Sequence, residues 1–218
     1  MISVKPFFKV CGLTRPGDVT ACLDAGAAMT GFIFAAKSPR RVTPEQALGL
    51  PRGDAYRVGV FVEQSVEEVV RIMDAAELDL AQLHGRQNEA FCRAVGPGRV
   101  IKALWPEKLR SREALQKALD RFAESCAFFL LDAGTSGGGH GRSMDFSLVA
   151  GLDMPRPWLL AGGLGPHNLE AALDAAAPDG LDLNSGLETS PGVKDHAAIA
   201  RAAAILAGRW PPGGQRDE

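Results

Sequence analysis

Several side chains able to do chemistry stand at the ends of apolar runs in this chain. Cys11 follows Phe7-Phe8-Lys9-Val10 and precedes Gly12-Leu13-Thr14. A thiol at such a turn is either a small core hydrophobe or, where its environment favours the thiolate, a general base. Asp132 follows Phe128-Phe129-Leu130-Leu131. A carboxyl group there is either a helix or turn cap, or an acid suited to giving up a proton near neutrality. Arg40, in Lys37-Ser38-Pro39-Arg40-Arg41, is either a solvated loop residue or a clamp whose planar fork fits a carboxylate. His84, in Gln82-Leu83-His84-Gly85, serves as a local hydrogen-bonding group or lines a site. Lys102, inside the run 100–104, either points into such a site or pairs with an acid.

Glycine marks the same kind of position. Gly137-Gly138-Gly139-His140-Gly141 follows the run that ends at Asp132, Gly162-Gly163 follows 158–161, and Ser185-Gly186 follows 180–184. Glycine serves tight turns and also lets a backbone approach a phosphate closely. Three clusters at equivalent ends favour the phosphate reading.

These positions need elements to hold them. Eight strand-like runs succeed one another at 7–11, 29–34, 56–61, 80–83, 100–104, 127–132, 158–161 and 180–184. Most are apolar on both faces, as strands covered on both sides are. Helical patterns lie between them. Thr43-Pro44-Glu45-Gln46 offers an N-cap with proline at the first helical position, and Ser65-Val66-Glu67-Glu68 is a capping box. Leu115, Leu119 and Phe122 recur at helical spacing, as do Leu169, Leu173 and Ala176, and Ile199, Ala203 and Leu206. A brief helix is expected over 145–150. Strand–helix alternation implies a parallel sheet, and eight units in one chain match an α/β fold of a single (β/α)8 TIM barrel; an open doubly wound sheet usually has fewer strands. The expected domain is 1–210, with 211–218 as a flexible tail. In such barrels the site lies at the C-terminal ends of the strands, where Cys11, Arg40, His84, Asp132 and the glycines fall.

Composition bounds the rest. With 218 residues, 46% hydrophobic, 23% charged and a net charge of −2, the chain lacks the basic excess of a nucleic-acid binder. An anionic small molecule remains open to it, because backbone N–H groups can hold one phosphate. The cysteines Cys11, Cys22, Cys92 and Cys126 form no CxxC pair or zinc pattern. Reduced thiols and a cytoplasmic setting are expected; Cys22, Cys92 and Cys126 are expected to be structural. Lys5 and Lys9 interrupt the short apolar start, which suits neither a signal peptide nor a membrane span. Monomer and homodimer both remain open.

The motifs run in the order of one family. Lys9-Val10-Cys11-Gly12-Leu13-Thr14, Gly31-Phe32-Ile33-Phe34 with Lys37-Ser38-Pro39-Arg40, Ala81-Gln82-Leu83-His84-Gly85, Leu130-Leu131-Asp132, Ala161-Gly162-Gly163-Leu164 with Asn168, and Asp182-Leu183-Asn184-Ser185-Gly186-Leu187-Glu188 are similar to those of the phosphoribosylanthranilate isomerases. The resemblance covers about residues 7 to 207. It implies an Amadori rearrangement of an aminoaldose phosphate, with Asp132 as general acid and Cys11 as general base. Arg40 would take the anthranilate carboxylate, and His84 and Asp182 would line the same mouth. Gly138, Gly139, Gly141, Gly162, Gly163, Ser185 and Gly186 would hold the phosphate. No cofactor or metal is implied. His140 stands where serine or threonine is expected, and Asn184 where serine is common. The related isomerase family of histidine biosynthesis resembles the chain less, because it uses a carboxylate where Cys11 stands.

Overall fold

The structure, a computed structural model, describes residues 7–132, 148, 149 and 151–209. Eight strands follow in chain order: β1 (Phe7–Val10), β2 (Met29–Ile33), β3 (Tyr56–Phe61), β4 (Leu80–Leu83), β5 (Val100–Leu104), β6 (Phe128–Asp132), β7 (Trp158–Ala161) and β8 (Gly180–Leu183). Each pairs in parallel with the next, and β8 pairs with β1, so the sheet closes into a barrel. Closure excludes the open doubly wound alternative. The helices outside it are α1 (Pro16–Asp24), α2 (Pro44–Leu48), α3 (Val66–Ala75), α4 (Glu89–Val95), α5 (Pro106–Leu109), α6 (Arg112–Phe122), α7 (Leu169–Ala176) and α8 (His196–Arg209). A two-stranded antiparallel hairpin, β9 (Glu188–Ser190) with β10 (Val193–Lys194), stands between β8 and α8. The expected glycine loop at 137–141, the tail 211–218 and, apart from residues 148 and 149, the brief helix at 145–150 lie outside the described residues.

Local chemistry sets most boundaries. Thr43 and Ser65 cap α2 and α3 as reciprocal capping boxes, with Gln46 and Glu68 reaching back to the cap N–H groups. Each such cap contributes about 1 kcal/mol. Four strands are one residue shorter than the sequence suggests. Cys11, Phe34, Ala127 and Asn184 fall just outside β1, β2, β6 and β8. Cys11 still donates its N–H to the Leu183 carbonyl at 2.8 Å, but Gly12, at φ +74°, turns the chain out of the sheet. α5, a single turn opened by Pro106, and the β9–β10 hairpin were not expected from the sequence.

Side chains alternate between the two faces of every strand. The inward set at the barrel's centre includes Met29, Val58, Leu80, Ile101, Phe128, Leu130 and Leu159. The outward set, including Val10, Phe32, Leu83, Phe129, Leu131 and Leu160, packs under the helices as a second cluster. Fully burying one such side chain contributes roughly 1.5–3 kcal/mol. Lys102 belongs to the outward set, alternating with the inward Ile101 and Ala103. It does not reach the mouth, and among the described residues it forms no ion pair with an acid. Its ammonium donates to the Gln87 carbonyl at 2.9 Å and lies 4.9 Å from the centre of the Phe122 ring, and burial pulls its pKa down.

Candidate active site at the mouth of the barrel

Toward the C-terminal strand ends the inward face turns polar. Lys9 and Cys11, two residues apart, point to the same side, as do Gln82 and His84. Lys9 is fully buried and donates to Asp182 Oδ1 at 2.8 Å, across the β1–β8 register that pairs the two residues. Cys11 sits beside it. Both the Cys11 sulfur and the Lys9 ammonium lie within about 3 Å of the place a Cβ on Gly31 would take, at 2.9 and 3.0 Å, so only glycine fits there. Burial works against the Lys9 charge, but Asp182 and Cys11 more than offset it, and its pKa is raised. Burial pushes the Cys11 thiol up; Lys9 is the strongest influence pulling it down. The net direction is upward, opposite to the lowering that a general base wants.

Across the mouth, β6 ends in Asp132. β1 and β6 stand three places apart around the eight-stranded ring, and Cys11 and Asp132 open into one cavity of about 280 Å³. His84 Nε2 stands 3.2 Å from Asp132 Oδ2, and His84 Nδ1 stands 3.1 Å from Gln82 Nε2. The two contacts seat the imidazole between the Gln82 amide and the Asp132 carboxyl group. The Trp105 ring meets His84 edge-on at 5.1 Å. His84 thus lines the mouth as expected, with its ring engaged by Asp132. Asp182 forms part of the cavity floor, tied to Lys9.

Arg40 reaches the cavity from the loop between β2 and α2. Its Nε donates to Glu188 Oε1 at 2.8 Å, and its Nη2 to Glu188 Oε2 at 2.6 Å. Glu188 Oε1 also accepts from Lys194 Nζ at 2.9 Å and from the Gly192 N–H at 3.2 Å. Burial alone would raise the Glu188 pKa; Arg40 and Lys194 outweigh it and hold the carboxylate below its usual range. The Arg40 stem passes over Gly12, where a Cβ would come to 2.7 Å from both Arg40 Cδ and Asn184 Oδ1.

The glycine loops after β7 and β8 form another part of the rim. Gly162, Gly163 and Ser185 line the cavity. Gly162 and Gly163 hold φ of +120° and +67°, backbone that side-chain-bearing residues rarely adopt. Asn168 fixes the loop by accepting from the Gly165 N–H at 2.9 Å and donating to the Gly163 carbonyl at 3.2 Å. Gly186 does not line the cavity. It packs against the first loop, where a Cβ on it would strike the Leu164 carbonyl and one on Gly165 would come to 2.6 Å from the Gly186 carbonyl. Gly138, Gly139 and Gly141 lie outside the described residues.

Among the described residues, sequence reasoning passed over several groups at or against this mouth, including Lys9, Gln82, Trp105, Glu188 and Lys194. The period-2 alternation already places Lys9 beneath Cys11 and Gln82 beneath His84. Nothing local links Glu188 and Lys194 to Arg40, about 150 residues away in the chain.

A closed (β/α)8 barrel with a thiol, a carboxyl group and a guanidinium around one cavity, rimmed by glycine loops, is built as an enzyme for small anionic substrates. The model of the N-(5'phosphoribosyl)anthranilate (PRA) isomerase family matches residues 8–203. A relative from Desulfovibrio desulfuricans, an N-(5'-phosphoribosyl)anthranilate isomerase, is 52% identical over 199 residues, covering 91% of this chain and 94% of its own length. The crystal structure of phosphoribosyl anthranilate isomerase from Thermotoga maritima superposes with a TM-score of 0.84 at 32% identity, covering 93% of this chain and 99% of that one. A second crystal structure, of a phosphoribosyl anthranilate isomerase in complex with reduced 1-(o-carboxyphenylamino)-1-deoxyribulose 5-phosphate, gives a TM-score of 0.79 at 31% identity, covering 93% of this chain and 99% of that one. The chain belongs to this family, the isomerases of tryptophan biosynthesis.

Proposed function

We propose that the mouth converts N-(5-phosphoribosyl)anthranilate into 1-(2-carboxyphenylamino)-1-deoxyribulose 5-phosphate, with Asp132 as general acid and Cys11 as general base. The supporting observation is that a carboxyl group and a thiol enter one cavity from strands three places apart in the ring. A sugar bound between them meets the acid on one side and the base on the other.

Asp132 gives its proton to the furanose ring oxygen. The C1–O bond breaks with its electron pair on that oxygen, and the nitrogen lone pair forms the C1=N bond of a protonated Schiff base. Cys11, as thiolate, then takes the C2 proton. The C–H electrons close a C1=C2 bond and neutralise the nitrogen, giving an enolamine. The enolamine tautomerises to the ketone, with a proton gained at C1 and one lost from the C2 hydroxyl. His84, held by Gln82, keeps the Asp132 carboxyl turned toward the cavity. Lys9 supplies the positive charge that a buried thiolate needs. Arg40 takes the anthranilate carboxylate. Gly162, Gly163 and Ser185 offer backbone and hydroxyl donors to the phosphate, and Gly138, Gly139 and Gly141 complete that reading from outside the described residues. The four cysteines are free thiols, which fits a cytoplasmic enzyme.

The test is conversion of phosphoribosylanthranilate, formed by mixing anthranilate with ribose 5-phosphate and followed by fluorescence. Cys11→Ala and Asp132→Asn are each expected to lower kcat by at least about 100-fold, the scale of losing a general acid or base. Near-normal turnover in either variant would remove that residue from its role.

A further inference from the structure

We propose that Glu188 sets the preference for a carboxylate-bearing substrate by holding Arg40 so that one edge of the guanidinium faces the cavity; this rests on the reading of Arg40 as the carboxylate clamp. Arg40 projects from an irregular loop, and its own neighbours in the chain do little to fix it: Ser38 bonds only its backbone N–H. The side chain is fixed from the far end of the sequence. Glu188, on β9, takes both Nε and Nη2 in a bidentate pair. A guanidinium has five N–H donors in a rigid plane. Spending the Nε–Nη2 edge on Glu188 leaves the Nη1–Nη2 edge, which carries a second parallel pair of N–H bonds suited to another carboxylate.

Charge decides whether that edge attracts an anion. Arg40 and Glu188 alone would sum to zero, and a bare Glu188 would repel an incoming carboxylate. Lys194 changes the balance. Its side chain is fully buried, and its ammonium meets three acceptors: Glu188 Oε1 at 2.9 Å, Asn184 Oδ1 at 3.0 Å and the Asn184 carbonyl at 3.1 Å. Three acceptors match the three donors of a protonated amine. The cluster is thus cation, carboxylate, cation, with one net positive charge beside the cavity. The Gly192 N–H adds a further bond to the Glu188 carboxylate, so the β9–β10 hairpin works as a bracket for Arg40.

The experiment compares two substrates: phosphoribosylanthranilate, and the same adduct made from aniline, which lacks the carboxylate. The quantity read is the ratio of their kcat/KM values. Glu188→Gln keeps the size of the side chain and an oxygen for Lys194. It also removes a negative charge, which by itself would raise the preference for the carboxylate. The lost positioning of Arg40 is expected to outweigh that and lower the preference at least about tenfold, chiefly through KM. A raised preference overturns the inference. Arg40→Ala is expected to lower the preference further. In the double variant Glu188→Gln should add little to Arg40→Ala, because it acts through Arg40. Should Glu188→Gln fail to fold, Glu188→Asp keeps the charge beside Lys194 but is too short for the bidentate pair, and is expected to lose preference in the same direction. A wild-type ratio in the Glu188 variant alongside a lowered ratio in Arg40→Ala overturns this inference and leaves the clamp standing. A Glu188 variant that loses activity equally on both substrates assigns the residue to the fold and also overturns it. An unchanged ratio in Arg40→Ala removes the clamp itself, and the role of Glu188 with it.

Discussion

Lys9 and Cys11 show how one buried charge governs the chemistry of a neighbour. The thiol alone would be held protonated by its burial, and Lys9 is the main influence in the other direction. Removing Lys9 therefore raises the thiol pKa further. Activity that depends on the thiolate rises with pH through that pKa, so the acid-side limb of the pH–rate profile should move to higher pH. Lys9→Met alone leaves Asp182 buried without its partner, a change that costs about 3–5 kcal/mol. Lys9→Met/Asp182→Asn removes both charges and is expected to recover much of that stability. Because Asp182 itself pushes the thiol up, its loss offsets part of the shift, and the double variant should lie between wild type and Lys9→Met. Alkylation of Cys11 by iodoacetamide as a function of pH reads the thiol directly. An unshifted profile in Lys9→Met would show that Lys9 does not activate Cys11.

At the scale of elements, the turns between strands and helices hold the site as firmly as the strands do. Gly12 meets two demands at once. Its φ of +74° is one that side-chain-bearing residues rarely adopt, and the space a Cβ would take is already claimed by Arg40 and Asn184. Gly12→Ala is expected to cost about 1–3 kcal/mol from backbone strain, with the contacts adding to it. In a domain of this size each kcal/mol lowers Tm by about 2–4 °C. Because the displaced groups are Arg40 and Asn184, KM should rise with the loss of Tm. By contrast Gly26→Ala, also at positive φ but with nothing within 4 Å of its notional Cβ, is expected to lower Tm while leaving KM alone. Thermal melts with steady-state kinetics on both variants separate strain from displacement; equal KM in the two would argue that Gly12 serves only the turn.

Across the whole molecule, the barrel's central core and its outer layer are distinct clusters divided by the sheet. Leu130 lies fully buried in the inner one, two residues before Asp132 on the same face of β6. Leu130→Ala leaves a cavity inside the ring and is expected to cost about 2–5 kcal/mol. The closed sheet gives the neighbours little room to collapse, so the upper part of that range is expected in a denaturant titration. A loss below about 1 kcal/mol, less than the transfer of the deleted methyl groups alone, would mean that the barrel interior relaxes.

Much of this was legible in the sequence because the rules involved are local. Apolar runs covered on both faces, bounded by caps such as Thr43 and Ser65, define strands and helices within a few residues of one another, and eight repeats leave a barrel as the simplest closed arrangement. The site rule for barrels then points to Cys11, Arg40, His84, Asp132 and the glycines, and the resemblance adds Asp182. Tertiary structure alone decided what those groups meet. Lys9 finds Asp182 because β8 closes onto β1, Arg40 finds Glu188 and Lys194 across about 150 residues, and Lys102 faces outward although its strand was right. Gly186 packs against Gly165 rather than facing the cavity, a distinction set by the approach of two loops. Periodicity determines which face a side chain takes. Which partner waits on that face depends on how distant segments are brought together, and a sequence read one neighbourhood at a time does not contain that information.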